Sequence, residues 1–466
     1  MSLQYQKFLE NEEEILEYFL GLTSESEDDS SENDEPSAAP STSDENNSFI
    51  IVNEDLEAES PDEDEDEYTD DMVMTLEEDE DKNDENWADE NNWEEFDEER
   101  HELPRFTFKG RAKSNCPDQT INTPSQFCML FFTRELFQTI AVETNRYTEE
   151  LISRKRRLQQ YSICQNWQKI SVEEMMTFHG TIINMALYRN KRSRDFFSKQ
   201  WVDESSFFRQ IFRRDRWFQI FWGLHVSPPA PPGSGFMASR RSKVKQVHDY
   251  LSEWFLHYYH PGCHLSVDES TVPFKGRTAF KMYDSKKPTK WGIRIYDIAD
   301  ALTGYILGLI PYYGKATIEC LAYAGHLFTT RIVLTLVDIV TRATGETGYH
   351  VYTDRLYTNL SLAAELLKKK IHITGTINTN RKDLPPQVKK RKRSSVGRVR
   401  LYVKHKRCHI LSWKDKRDVI MCSTYHTVRT TQHRRVMKGN LEQVIEKPNL
   451  EYTYLSSEKA ILNSYK

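Results

Sequence analysis

No stretch of this 466-residue sequence approaches the apolar length of a membrane span, about 20 residues, and its first residues lack the layout of a secretion signal. Its cysteines are few and scattered. Cys116, Cys128, Cys164, Cys263, Cys320, Cys408 and Cys422 include no C-x-x-C pair, which argues against a disulfide framework and against a structural zinc site. The expectation is a soluble chain of a reducing, intracellular compartment, with no membrane partner and no zinc. Internal repeats are also absent. Positive charge is nearly missing from the first hundred residues, which hold 40 Asp and Glu against 3 Lys and Arg. The remainder holds 31 acids against 60 bases, so the formal net charge of −8 describes neither part. A body that basic suits a polyanion, nucleic acid first, although a merely soluble basic surface has the same composition.

The acidic stretch, typified by Asp62-Glu63-Asp64-Glu65-Asp66-Glu67, has too little apolar surface to offset its ordering entropy, so residues 1–105 are expected to be a disordered acidic tail. A short amphipathic helix is predicted at Glu13–Leu20. Trp87, Trp93 and Phe96 sit among acids, a mix that suits a partner-binding motif, an electrostatic mimic of DNA or a plain solubilising tail. From Thr123 the period becomes helical. Helices are predicted over Pro124–Tyr147, with Phe127, Leu130, Phe131, Leu136, Phe137 and Ile140 on one side, and over Ser171–Tyr188, Asp203–Ile211, Arg214–His225 and Ser242–Tyr259. Ser171 with Glu174 three residues on reads as a capping box, and Ser227–Gly235 as a Pro- and Gly-rich connector. Residues 120–262 therefore form an all-helical region.

At Cys263 the period switches. Strands are predicted at His264–Asp268, Gly292–Asp300, Tyr305–Tyr312, Tyr349–Asp354 and Ile371–Ile377. Helices intervene at Thr329–Ala343, ending at Gly345, and from Asn359 to Lys370. This order over residues 263–380 is compatible with an RNase H-like α/β layer, as it is with several other α/β folds. Residues 381–435 read as a basic, β-rich insertion with strands at Arg398–Val403, Cys408–Trp413 and Asp418–Thr424, and 436–466 as the end of the core. His179, His225 and His350 sit in apolar elements and read as core or boundary histidines.

Asp268, in Val267-Asp268-Glu269, and Asp354, in Tyr352-Thr353-Asp354-Arg355, each end a predicted strand. Carboxylates at neighbouring strand ends can share divalent cations and stabilise both oxygens of a phosphoryl transfer, yet an Asp there can equally be a helix cap or turn former. The stretch from Lys275 to Lys290 adds six bases within sixteen residues, beside Phe274, Tyr283 and, just beyond, Trp291. Such bases neutralise phosphates while rings stack on bases or sugars; a solvated charged loop is the simpler alternative.

Leu265-Ser266-Val267-Asp268-Glu269, then Phe274-x-Gly-Arg and Met282-Tyr283-x-x-Lys-x-Pro-x-Lys-x-Gly, resembles the opening of the catalytic domain of piggyBac transposases. Arg214-Asp215-Arg216-Trp217-Phe218, Tyr259-His260-Pro261-Gly262, Thr353-Asp354-Arg355-Leu356-Tyr357-Thr358-Asn359 and Gly375-Thr376-Ile377-Asn378-Thr379-Asn380-Arg381 match in order, so the resemblance covers about residues 123–448. It implies an α/β fold: an RNase H-like catalytic core, interrupted by an insertion and preceded by a helical DNA-binding and dimerisation domain. It also implies double-stranded DNA as partner, TTAA targets, a homodimer, and Mg2+ held by three Asp. The first two fall on Asp268 and Asp354. The bases that carry over by motif for DNA binding are Lys275, Arg277, Lys286, Lys290 and Arg381.

The resemblance departs from the family pattern at the third Asp. No Asp follows Asp418; counting from Lys447-Pro448 places Leu462 at that position, with Glu451 and Glu458 as nearby acids. The chain then stops at Lys466, before the family's returning helices and zinc module, so a C-terminally truncated transposase-derived protein is expected. Lys389-Lys390-Arg391-Lys392-Arg393, after Pro385-Pro386, reads as a nuclear-localisation run, as a phosphate-contacting loop, or as both. The sequence thus admits a catalytically impaired nuclear DNA-binding protein, an active Mg2+-dependent transposase, or a decayed fragment.

Overall fold

The computed structural model describes residues 93–96, 103–117, 120–154, 162–188, 192–198, 206–274, 276, 278, 280–285, 287, 289–389, 399–404, 407–414, 418–426, 430–436 and 442–448. Outside them lie Glu13–Leu20, Trp87, Lys275, Arg277, Lys286, Lys390–Arg393, Glu451, Glu458 and Leu462. Two compact units divide the described chain: one falls within residues 118–233 and 241–248, the other within 66–117, 234–240 and 249–466. Among the described residues no helix is long and apolar enough to cross a membrane.

The first unit is helical: α1 (Pro124–Phe131), α2 (Arg134–Arg154), α3 (Val172–Ala186), α4 (Ser206–Ile211) and α5 (Arg214–Gly223). Thr123 and Gln126 close a reciprocal capping box at α1, and Pro124 suits the first turn, where its missing N–H costs nothing. The single helix expected over Pro124–Tyr147 is in fact two. Phe132 leaves helical geometry, and the Thr133 hydroxyl accepts from the Leu136 N–H at 3.4 Å to begin the next helix. Ser171 caps α3 as its sequence suggests, but Glu174 does not complete the box. Its carboxylate instead accepts both forks of the Arg216 guanidinium at 2.6 Å, a charge-assisted pair stronger than a neutral cap. Phe178, Phe208 and Trp217 are fully buried, and the Trp217 indole donates to the Thr181 hydroxyl at 2.9 Å. Phe127, expected on the inner side of α1, is 45% exposed. The following residues form α6 (Phe236–Ser242) and α7 (Lys245–Tyr258).

The second unit is built on a ten-stranded sheet. Its strands are β1 (Trp93–Glu95), β4 (His264–Pro273), β5 (Met282–Tyr283), β6 (Trp291–Asp300), β7 (Ile306–Pro311), β8 (His350–Thr353), β9 (His372–Thr376), β10 (Val399–Lys404), β11 (Cys408–Lys414) and β12 (Asp418–Ser423). Two small antiparallel pairs stand apart from it: β2 (Lys113–Ser114) with β3 (Tyr259–His260), and β13 (Thr430–Val436) with β14 (Glu442–Pro448). The order is β1-β10-β11-β12-β9-β8-β4-β6-β5, with β7 also on β6. β4, β6 and β7 are successive antiparallel neighbours, whereas β4, β8 and β9 run parallel. Parallel neighbours need crossover connections, and the helices α8 (Phe328–Thr344) and α9 (Leu360–Lys368) supply them.

α8 buries Ile332, Val333, Leu334, Leu336, Val337 and Val340, each worth about 1.5–3 kcal/mol of apolar transfer. It ends on Gly345, at φ 69°, a left-handed cap that suits glycine. α9 starts on Asn359, whose side chain accepts from the Leu362 N–H at 2.8 Å. The insertion is not a separate layer. β12 pairs antiparallel with β9, and Tyr402, Cys408, Ile410, Ile420 and Cys422 join the same core as α8 and α9.

Within the stretch expected to be a disordered tail, Trp93–Glu95 forms the edge strand β1 against β10. The Trp93 indole donates to the Asp383 carbonyl at 2.8 Å, and the Phe96 ring meets His409 edge-on at 4.4 Å. Two of the three rings that the sequence offered to an outside partner, Trp93 and Phe96, are engaged by the chain's own sheet, because a half-buried edge gives an aromatic more apolar contact than water does.

Candidate active site

β4 and β8 lie side by side and in parallel, and their last paired residues are Val267 and Thr353. Asp268 and Asp354 are therefore the first residues past the final rung, on adjacent strands and at the same end. Asp268 lies within β4, where it faces Asp297 of β6, and its Oδ1 accepts from the Glu269 N–H at 2.8 Å. Asp354 opens the turn into α9. Its Oδ1 accepts from the Leu356 N–H at 2.7 Å, and its carbonyl accepts from the Thr358 hydroxyl at 2.7 Å. Close approach of β9 packs this turn. A Cβ on Gly375 would lie 2.2 Å from Thr358 Oγ1 and 2.3 Å from the Thr353 carbonyl, so only glycine fits.

Electrostatics follow from burial. The Asp268 carboxyl is pushed up to about 8, chiefly by desolvation, then by the neighbouring carboxylates of Glu269 and Asp354. Burial alone would raise Glu269 too. The Lys287 ammonium, the Arg294 guanidinium and the bonds from Tyr357 and Lys287 outweigh it and hold Glu269 below its usual value. Its Oε1 accepts from Lys287 Nζ at 3.1 Å and its Oε2 from the Tyr357 hydroxyl at 2.8 Å. The result is a half-buried Asp268 set against Asp354 and against Glu269, whose oxygens are already bonded.

Oxygen donors on a rigid strand end suit a hard divalent cation, and an Mg2+ site commonly takes one or two carboxylates and completes its shell with water or phosphate. The unneutralised repulsion at Asp268 fits such an ion. Among the described residues, no group of three or more His, Cys, Asp or Glu could hold a metal.

The other sequence candidates separate. Lys290 is exposed and precedes β6 at the end where Gly292 faces Pro273, five residues along β4 from Asp268. Arg381 is only half-exposed, and its Nη2 donates to the Leu356 carbonyl, bracing the Asp354 turn from the loop after β9. Lys389 closes the short helix α10 (Pro386–Lys389) ahead of the remaining basic run. In the basic segment, Lys281 lies 4.9 Å over the Trp291 ring, which also packs on Tyr283 at 4.8 Å. Glu269, Tyr357 and Lys287 are the site residues that sequence reasoning missed. The available signals were an acid directly after Asp268 and a tyrosine in the same turn as Asp354.

A family model described as Transposase IS4, of the DDE type, matches residues 123–462. Human PiggyBac transposable element-derived protein 3 is 25% identical over 271 residues, which is 57% of this chain and 42% of that protein. The chain belongs to the piggyBac transposase family. Human PiggyBac transposable element-derived protein 2, another relative within the family, is 24% identical over 317 residues, 63% of this chain and 47% of that one. The chain thus spans less than half the length of these curated relatives. The fold is similar to that of a piggyBac transposase solved by cryo-electron microscopy as a synaptic complex with hairpin DNA, with a TM-score of 0.59, 21% identity, and coverage of 76% of this chain and 70% of that one.

Proposed function

We propose that this chain is a piggyBac-derived nuclear DNA-binding protein built on an RNase H-like core, with a catalytic centre that is impaired because one of three acids is missing. The observation that carries the reading is the Asp268–Asp354 pair: two half-buried carboxylates just past the last rung between the parallel strands β4 and β8, the charge of Asp354 adding to the rise of Asp268. The strand order β7-β6-β4-β8-β9, antiparallel on one side of β4 and parallel on the other, supports the RNase H-like assignment.

Asp268 and Asp354 would hold Mg2+. When bound, the ion supplies Lewis-acid stabilisation to the oxygens of a phosphodiester. The protein's own groups fix the donors: Leu356 N–H and Thr358 hold the Asp354 turn, and Glu269 N–H orients Asp268. Within the matched residues no Asp follows Asp418, and Leu462 occupies the counted third position. With one carboxylate fewer, charge developing in the transition state is poorly compensated, and strand cleavage is expected to fall by orders of magnitude. Double-stranded DNA is the partner in this reading, gripped by Lys275, Arg277, Lys286, Lys290 and Arg381. The helical region supports DNA binding and a homodimer, and Lys389–Arg393 nuclear entry.

The test is a DNA cleavage and binding assay in Mg2+ or Mn2+, comparing the chain with Asp268→Ala. The expected result is DNA binding by both proteins and no metal-dependent nicking by either. Nicking by the native chain that vanishes in Asp268→Ala would establish an active enzyme instead, and absence of binding by both would refute the DNA-binding reading.

A further inference from the structure

The β4–β8 ladder stops at Val267 and Thr353, so no backbone rung joins the strands at the level of the two aspartates. Two like-charged side chains placed beyond the last rung tend to part unless something ties their strands together. The described structure contains such a tie. The Tyr357 hydroxyl donates to Glu269 Oε2 at 2.8 Å, across 88 residues of sequence. Glu269 directly follows Asp268, and Tyr357 lies in the turn that Asp354 opens. The tyrosine is held from behind: its ring is fully buried and meets the Tyr296 ring edge-on at 6.4 Å. The glutamate is held from the other side. Lys287 Nζ donates to its Oε1 at 3.1 Å and to its carbonyl at 3.3 Å.

We propose that Glu269 is a positioning residue for the carboxylate pair: through the Tyr357 hydroxyl and the Lys287 ammonium it fixes the spacing of Asp268 and Asp354, without being a metal ligand itself. The inference rests on the reading of that pair as a divalent-cation half-site. Both carboxylate oxygens of Glu269 already accept hydrogen bonds, one from a cation, so coordinating a metal would require breaking a charge-assisted contact. The bond instead acts as a rung of side chains that continues the ladder where the backbone stops. Tyr357→Phe removes one oxygen and leaves the buried ring in place, which separates the link from core packing.

The experiment follows free Mn2+ by electron paramagnetic resonance on the full chain, with melting temperatures in metal-free buffer alongside. The proteins are the native chain, Asp268→Asn, Tyr357→Phe, Glu269→Ala and Glu269→Gln. Groups that orient metal-binding side chains typically change affinity by about 10–100-fold, so Tyr357→Phe is expected to weaken Mn2+ binding about tenfold with an unchanged melting temperature. Glu269→Ala weakens it further, and Glu269→Gln, which can still accept from Tyr357, recovers part of the loss. Native affinity in Tyr357→Phe would overturn the inference while leaving the half-site intact. So would a Glu269→Ala that loses Mn2+ as completely as Asp268→Asn while Tyr357→Phe binds normally, because Glu269 would then be a ligand. A native chain that binds no Mn2+, or an Asp268→Asn that binds as well as native, overturns the half-site itself and the inference with it.

Discussion

The three parallel strands β4, β8 and β9 bury polar groups at both ends, and the two ends treat them oppositely. At the N-terminal end His264, His350 and His372 stand in register on adjacent strands. Each ring is accommodated. His350 Nε2 bonds to Thr374 Oγ1 at 2.8 Å, His372 Nε2 accepts from the Phe106 N–H at 3.2 Å, and His264 Nδ1 bonds to the Tyr352 hydroxyl at 3.2 Å. At the C-terminal end of the shared ladder Asp268 feels the carboxylates of Glu269 and Asp354, and burial raises the cost of charging it. Burial of titratable groups is therefore no mark of function by itself. What distinguishes the carboxylate end is the repulsion that Glu269 and Asp354 place on Asp268, which a cation would relieve.

The largest expected effect breaks the histidine end with acid. Desolvation first, then the neighbouring positive charge of Arg105, lowers His372 to about 4; the same causes, with His264 and His372 added, lower His426 to about 4. Burial, then His426, His264, His372 and Arg105, lowers His350 well below its usual value. For groups depressed on folding, the stabilisation is complete above the unfolded value near 6.5 and is lost as pH falls toward the folded value. The stability is expected to fall steeply between about pH 6.5 and about pH 4, by several kcal/mol in all at ~1.4 kcal/mol per unit of depression, and the melting temperature with it. His426→Leu should flatten that slope, measured by circular dichroism. A flat profile in the native protein would show that these rings are not buried neutral.

Next in size is Gly375→Ala, which acts on the carboxylate end. Its methyl would collide with the Thr353 carbonyl and Thr358 hydroxyl, so a loss of about 1–3 kcal/mol in a urea melt is expected. A smaller effect separates the ends. Deleting residues 1–90 removes 35 acids against 2 bases and should tighten DNA binding several-fold at low salt while leaving the acid midpoint alone. Equal affinity of both proteins across a salt titration would refute competition by the tail. The smallest change is Asp268→Asn in metal-free buffer, where relief of repulsion should hold or raise stability by about 1 kcal/mol or less. A marked fall in melting temperature would show that Asp268 is a structural group.

Much of this contrast is visible in one dimension. An Asp closing an apolar run marks Asp354 at the end of β8, and Asn359 and Gly345 bound their helices, because caps are set by neighbours in sequence; the strand expected to end at Asp268 instead runs on to Pro273, because β6 continues to pair with it. Most of the misses are matters of distant pairing. The Tyr357–Glu269 bond, the continuation of β9 by β12 and the docking of Trp93 on Asp383 depend on which strands meet, which no local period encodes. Thr133 shows the converse: a local capping preference divided a helix that hydrophobic spacing alone had joined.

The Trp93–Asp383 contact joins positions 290 residues apart, so β1 leaves the ribosome long before β10 exists to receive it. During that interval a short aromatic strand waits with every backbone group unpaired, the kind of segment that sticks to others of its kind. Glu94 and Glu95 lie within it, and Asp97, Glu98 and Glu99 follow directly. Mutual repulsion among these five acids opposes such contacts between nascent chains in the interval before β10 can pair with β1.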